Sequence, residues 1–304
     1  MRKSILFAGI FVILFALIIL PDVHAQDVKV SMYMLNLGKF DTATGTFTAD
    51  FYLDLQCDTN CSPENFEFMN GRATSIDKII DTPTEKYYRI QASLNSPVDL
   101  RRFPFDTQEM KIIIEDKENN IDEIRYVPDD NSSGIDKSVT FIGWKLDSWK
   151  SSVTEHYYDV YNETYSQYQF SINISKIFFN SFIKTFLPII FIMLIVMFSF
   201  LLDTDKIMTR LTMTTAALTA SVMFHISISN QIPPVGYMTM ADQFMLVTYF
   251  ILLATIVLNV FLLKLVEKKH AERVERYHKM TEFSVFIIIP AIYLAWFLIT
   301  YFLF

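Results

Sequence analysis

Residues 207–230 form a segment long enough to cross a membrane, yet they include Thr209, Thr212, Thr214, Thr215, Thr219, Ser221, Ser227, Ser229, Arg210 and His225. Hydrocarbon solvates such groups poorly, and a charge at bilayer depth costs about 2.5–3.5 kcal/mol on insertion scales. The segment therefore faces water or a protein interior. In the first case its hydroxyls replace water around a passing ion; in the second they hydrogen-bond inside a bundle. His225 has the same two readings, a pH-sensing group or a packed polar one.

Other residues offer different chemistry. Cys57 and Cys61 lie four apart in a polar stretch, where they close a small disulfide turn or remain thiols. No His or further Cys stands near enough to complete a zinc site. His156, Tyr157, Tyr158 and Tyr161, within residues 154–163, could cage a cation with their ring faces or serve as ordinary strand residues. The acidic pairs Glu115-Asp116 and Asp122-Glu123 could titrate on acidification. No Ser/His/Asp order, metal-ligand cluster or phosphate-cradling glycine loop stands out, which argues against an enzyme, a cofactor, a bound metal or a nucleic-acid partner.

The elements that must position these groups follow from hydropathy. Residues 1–25 read as a cleaved signal peptide: Arg2-Lys3, an apolar run, then Val23-His24-Ala25. Residues 26–176 alternate in short segments, 28–37, 47–55, 86–94, 110–115, 121–127, 144–153 and 164–174, separated by turn-rich stretches. That spacing predicts an antiparallel β-sandwich. Residues 177–304 contain four apolar spans, 182–202, 207–228, 244–265 and 283–304, each long enough for roughly 30 Å of hydrocarbon. The linker 266–282 is rich in Lys and Arg, which places it in the cytoplasm and the sandwich and both termini outside, in the plasma or inner membrane. Residues 26–176 hold 25 acids and 15 Lys plus Arg, net −10, against −7 for the whole chain of 304 residues. An acidic exported domain concentrates cations or simply keeps itself soluble.

Between two strand candidates stands Phe103-Pro104-Phe105-Asp106, then Gln108. Here the chain resembles the pentameric ligand-gated ion channels, the Cys-loop receptor superfamily. Ser96 and Met110 flank the motif where the eukaryotic branch has its cysteines, so the chain looks like a prokaryotic-type member. Arg210-Leu211 opening the threonine-rich span, Ser229 through Pro233, Tyr237-Met238-Thr239, Asp242-Gln243 and Pro188 extend the likeness over residues 28–304.

The resemblance implies a homopentamer, each chain joined by four identical subunits, in contact with membrane lipids and permeating ions. The second span would line the pore with Thr212, Ala216, Thr219, Met223, Ile226 and Asn230, Met223 and Ile226 forming an apolar gate that dewets. Phe103, Pro104, Phe105, Asp106 and Lys176 would couple the sandwich to the linker bearing Pro233, Pro234 and Tyr237, with Lys176 paired to Asp106. Tyr157, Tyr158 and Tyr161 fall in the loop that caps the agonist site, although the tryptophan of a neighbouring loop is missing from residues 61–70. Cation-selective relatives carry an acid where this chain has Met208 and Thr209. Asp203 and Asp205 could supply an acidic ring instead or cap the next helix. The expectation is a ligand-gated channel favouring cations, opened by a small amine, a proton or a divalent ion. The alternative is a sensory or ligand-binding protein of the same fold that does not conduct.

Overall fold

Strand Thr46–Cys57 buries every second side chain, Phe47, Ala49, Phe51, Leu53, Leu55 and Cys57, the period-two pattern that fixes one face against a core. The computed structural model describes residues 25–59, 65–268 and 271–303. The expected signal peptide, apart from Ala25, lies outside them.

Among the described residues, ten strands precede the helices: β1 Gln26–Leu37, β2 Thr46–Cys57, β3 Phe66–Phe68, β4 Gly71–Asp81, β5 Glu85–Asn95, β6 Thr107–Asp116, β7 Ile124–Pro128, β8 Gly134–Ile135, β9 Trp144–Tyr158 and β10 Glu163–Lys176. One sheet runs β4-β5-β2-β1-β7 with β8 also on β1; the other runs β3-β6-β10-β9. Met110, Ile112 and Ile114 of β6 and Phe170, Ile172 and Ile174 of β10 share one apolar core with Val28, Val30 and Met32 of β1. Each such burial contributes about 1.5–3 kcal/mol.

The sheets depart from the sequence expectation in both pairing and pattern. The sandwich is not wholly antiparallel, because β7 and β8 both pair parallel to β1. The chain leaves β6 in one sheet and crosses to the other before β7, which lets it enter alongside β1 in the same direction. Strand β4 is long but mostly exposed at the sheet edge, so its sequence shows no apolar alternation.

After Lys176 the chain is helical: α1 Phe178–Thr185, α2 Leu187–Ser199, a short 3-10 turn Thr204–Lys206, α3 Ile207–Ser229, α4 Met240–Glu267 and α5 Ala271–Leu303. Helices α1 and α2 meet at a 42° bend. Pro188, second residue of α2, lacks the N–H that would continue the ladder from α1. The first span is therefore bent and starts earlier than 182. Among the described residues, three helices are long and apolar enough to cross a membrane, or four if the bent pair counts as one span. Helix α5 extends through residues 271–282, so that part of the expected linker is helical and continuous with the last span.

Candidate functional site

Helix α3 divides cleanly into two faces. Ile207, Arg210, Thr214, Ala217, Ser221 and Ile228 are buried against the rest of the bundle. At 3.6 residues per turn the opposite face carries Thr212, Thr215, Ala216, Thr219, Met223, Ile226 and Asn230, all exposed. Asn259 of α4 donates to the Thr214 hydroxyl at 3.3 Å on the buried side, fixing the rotation of α3.

The exposed hydroxyls have a defined polarity. Thr212 donates to the Met208 carbonyl at 3.0 Å, Thr215 to Leu211 at 3.0 Å and Thr219 to Thr215 at 3.1 Å. With each proton turned back to the helix, the oxygen lone pairs are left for the exposed side. Thr215 was not in the expected stripe; its spacing of three from Thr212 and four from Thr219 is the signal that marks it. Further along, Met223 is 67% and Ile226 56% exposed, an apolar stretch between Thr219 and Asn230. At the other end of α3, Asp203 and Asp205 are exposed, and Asp203 makes no side-chain cap hydrogen bond, so the capping role is not realised.

The loop between β5 and β6 enters the bundle. Leu100 and Phe103 bury against Ile228 of α3 and Ala241 of α4. Phe105 stacks on Phe178 at 4.7 Å and on Phe186 at 5.6 Å between ring centroids. The first N–H groups of a helix lack intrahelical partners. Here those of Met240 and Ala241 donate to the carbonyls of Arg101 at 2.9 Å and Phe103 at 3.0 Å, so the sandwich loop caps α4. Tyr237 takes the Leu100 N–H on its hydroxyl at 2.9 Å. Pro233 is half-buried and Pro234 exposed in the connection between α3 and α4.

Lys176 and Asp106 do not form the expected ion pair. The Lys176 ammonium lies 3.8 Å from the centroid of the Trp144 ring, and the Lys176 backbone N–H donates to the Asp106 carbonyl at 3.2 Å. Lysine lacks the fork that would hold a carboxylate in two places, so an aromatic face competes well for it. Asp106 is 1% exposed and accepts from Gln108 Nε2 at 3.2 Å, while its Oδ1 has no hydrogen-bond partner among the described residues. Burial raises its pKa above the ordinary carboxylate range, against the pull of Gln108 and Lys176.

A capping box of Thr239 and Asp242 starts α4. His225 then bridges helices: Nε2 lies 3.0 Å from Asp242 Oδ1 and Nδ1 2.9 Å from the Tyr249 hydroxyl. Thus His225 is a hydrogen-bonded group between α3 and α4. It stands beside Ile226.

At the far end of the sandwich, β9 continues to Tyr158 and β10 begins at Glu163, so most of residues 154–163 are strand and the connecting loop is short. Glu115, 2% exposed, accepts from the Tyr158 hydroxyl at 3.0 Å and from Gln167 Nε2 at 2.5 Å, and meets His156 Nδ1 at 2.6 Å. Tyr161 and Tyr165 stand 6.3 and 5.5 Å from the Tyr158 ring. Burial, with Glu115 beside it, pushes the Tyr158 hydroxyl up to about 12. Strand alternation turns Tyr157 away from this group, and its hydroxyl donates to Asn162 Oδ1 at 2.9 Å. Glu115 belongs to β6, remote in sequence from the hairpin turn, so only the fold brings it to Tyr158, whereas Gln167 lies on the hairpin's own second strand. Cys57 is disulfide-bonded; Cys61 lies outside the described residues.

A β-sandwich whose loop caps a membrane helix, followed by a bent first span and a second span with a hydroxyl face, has the architecture expected of the pentameric ligand-gated ion channels, which this chain resembles. Comparison with curated proteins supports that resemblance: the chain is similar to the proton-gated ion channel of Gloeobacter violaceus, 26% identical over 183 residues that cover 59% of this chain and 50% of the relative. The chain thus spans about half the length of the curated relative it matches. No family model matches it. The protein is a membrane protein with several spans and is similar to an ion channel.

Proposed function

We propose that this protein is a homopentameric ligand-gated ion channel in which five copies of α3 surround a pore. The observation that carries the reading is the exposed face of α3, where Thr212, Thr215 and Thr219 direct lone pairs outward beneath the apolar pair Met223 and Ile226. Oxygen lone pairs stabilise cations as they shed water, so the pore favours cations. Asp203 and Asp205 add negative charge near the mouth that leads to Thr212. Rings of Met223 and Ile226 form the barrier, closing the path by dewetting. The sandwich lies outside the cell, and the basic residues between α4 and the membrane part of α5 lie inside.

The stimulus acts on the sandwich. Tyr158, Tyr161, His156 and Glu115 offer a small amine both ring faces and a carboxylate, and the same His and Glu pair is a titratable site. The relative is gated by protons, and acid is the first stimulus to try. Motion of the hairpin reaches the pore through Phe103, Phe105 and the capped start of α4.

Voltage-clamp recording from bilayers holding the purified protein, with pH, amines and divalent ions varied in turn, tests the reading. The expected result is a stimulus-dependent current whose reversal potential in asymmetric salt follows the cation gradient. Absence of current under every condition, including with the barrier weakened in M223S, would leave the non-conducting sensor.

A further inference from the structure

The end of the bundle remote from the sandwich holds a buried polar contact with no part in the path just described. Arg210, one turn into α3 and opposite the threonine face, is 0% exposed. Its Nη2 donates to the Leu202 carbonyl and lies 3.0 Å from Nδ1 of His278 on α5. Among the described residues its Nε and Nη1 have no hydrogen-bond partner, and Phe200 stands 5.7 Å away. A guanidinium has only donors, so the imidazole nitrogen it meets must accept, and this contact requires neutral His278.

His278 also lines a cavity of about 630 Å³. Among the described residues, the charged groups that border it are Asp203 and Asp205 from the turn before α3, and Glu275, Lys279 and Glu282 from α5 itself, while α4 contributes apolar Val266. Water can therefore reach the imidazole, and carboxylates stand ready to receive it once charged.

We propose that Arg210 and His278 form a proton-operated latch that ties the base of α3 to α5 on the membrane face opposite the sandwich. A proton added at Nδ1 removes the lone pair that Arg210 uses and sets two cations at hydrogen-bond distance. The imidazolium turns to Glu282 and Asp203, Arg210 keeps only the Leu202 carbonyl, and the base of α3 is released from α5. Acid on this face thus changes the position of the helix that bears the hydroxyl stripe. The device is separate from any stimulus received by the sandwich. Its effect on current rests on the channel reading; its effect on stability does not.

Two measurements on the full chain test it together. In excised patches, the remote face is taken from about pH 8 to about pH 5.5, across the ordinary imidazole value near 6.5. Wild-type current changes about fivefold or more, the low end of ordinary coupling between sites. H278Q keeps an accepting carbonyl that does not titrate and loses this dependence, whereas H278K carries a fixed cation and behaves at pH 8 as wild type does in acid. In detergent, the melting temperature of wild type falls relative to H278Q over the same range, because only wild type gains the second cation. Equal pH dependence of melting in wild type and H278Q overturns the latch, whether or not current is seen. A silent protein that keeps the melting difference retains the latch and overturns the channel reading instead.

Discussion

Asp242 is held from three directions: by His225 Nε2 at 3.0 Å from Oδ1, and by the Thr239 N–H at 2.9 Å and the Thr239 hydroxyl at 2.8 Å on Oδ2. The preceding two residues, Met240 and Ala241, give their N–H groups to the sandwich loop. A continuous set of bonds therefore runs from Arg101 and Phe103, through the first turn of α4, to a residue of α3 next to Ile226. Spatial continuity alone is no proof of energetic coupling.

A double-mutant cycle supplies that proof. H225A and D242A each weaken the response to stimulus about tenfold, a little over 1 kcal/mol, as expected for a hydrogen bond to a charged group. The double variant is no worse than either single one, leaving a coupling of about 1.4 kcal/mol, the full effect of one variant and within the range for residues in contact. Strict additivity would show that the two side chains act independently.

Phe105 lies between Phe178 and Phe186, so its rings join sandwich and bundle by stacking rather than by charge. Because Phe105 is half-buried, F105A should destabilise by less than the ~3–5 kcal/mol of a fully buried aromatic truncation, whereas F105L should recover much of the loss and part of the response. Thermal melting in detergent and stimulus-response curves on the same variants check both statements.

Asp106 gives a pH dependence of definite sign. An acid whose folded pKa lies above its unfolded value, about 3.9, binds more protons when folded. Its contribution to stability falls as pH rises through that window and is level above it. Burial raises Asp106 in this direction. D106N should therefore melt higher than wild type near neutral pH and lose that advantage in acid below about pH 4. A wild type more stable than D106N at neutral pH would contradict the account.

The hairpin site can be tested at the hydroxyl that closes it. Y158F removes the donor to buried Glu115 and leaves that carboxylate short of one bond, at a cost of about 1–3 kcal/mol. The response to the stimulus should shift by about tenfold or more, while Y157F, whose hydroxyl bonds Asn162 on the other face, leaves it unchanged. Concentration-response curves with both variants separate the two faces.

The sandwich and helix order were legible wherever burial repeats with a period, as in β2 and in the two faces of α3. They were illegible where burial is weak or where sequence order hides neighbours. Edge strand β4 has too few buried positions to alternate. The parallel pairing of β7 with β1 depends on a crossover that no local pattern encodes. Lys176 was expected to pair with Asp106, yet the Trp144 ring takes the ammonium, a competition invisible without the fold. Glu115 and His156 are 41 residues apart, and the register of three strands alone brings them together.

The central claim is that the threonine face of α3 lines a water-filled path while the opposite face is packed. T219C and S221C place a thiol on each face, at an exposed and a buried position. Current through each variant is recorded while a charged, water-soluble thiol reagent is applied to the active protein. The account predicts rapid, irreversible loss of current in T219C and none in S221C or wild type. Block of S221C with T219C unaffected would mean that the wrong face of α3 meets the ions.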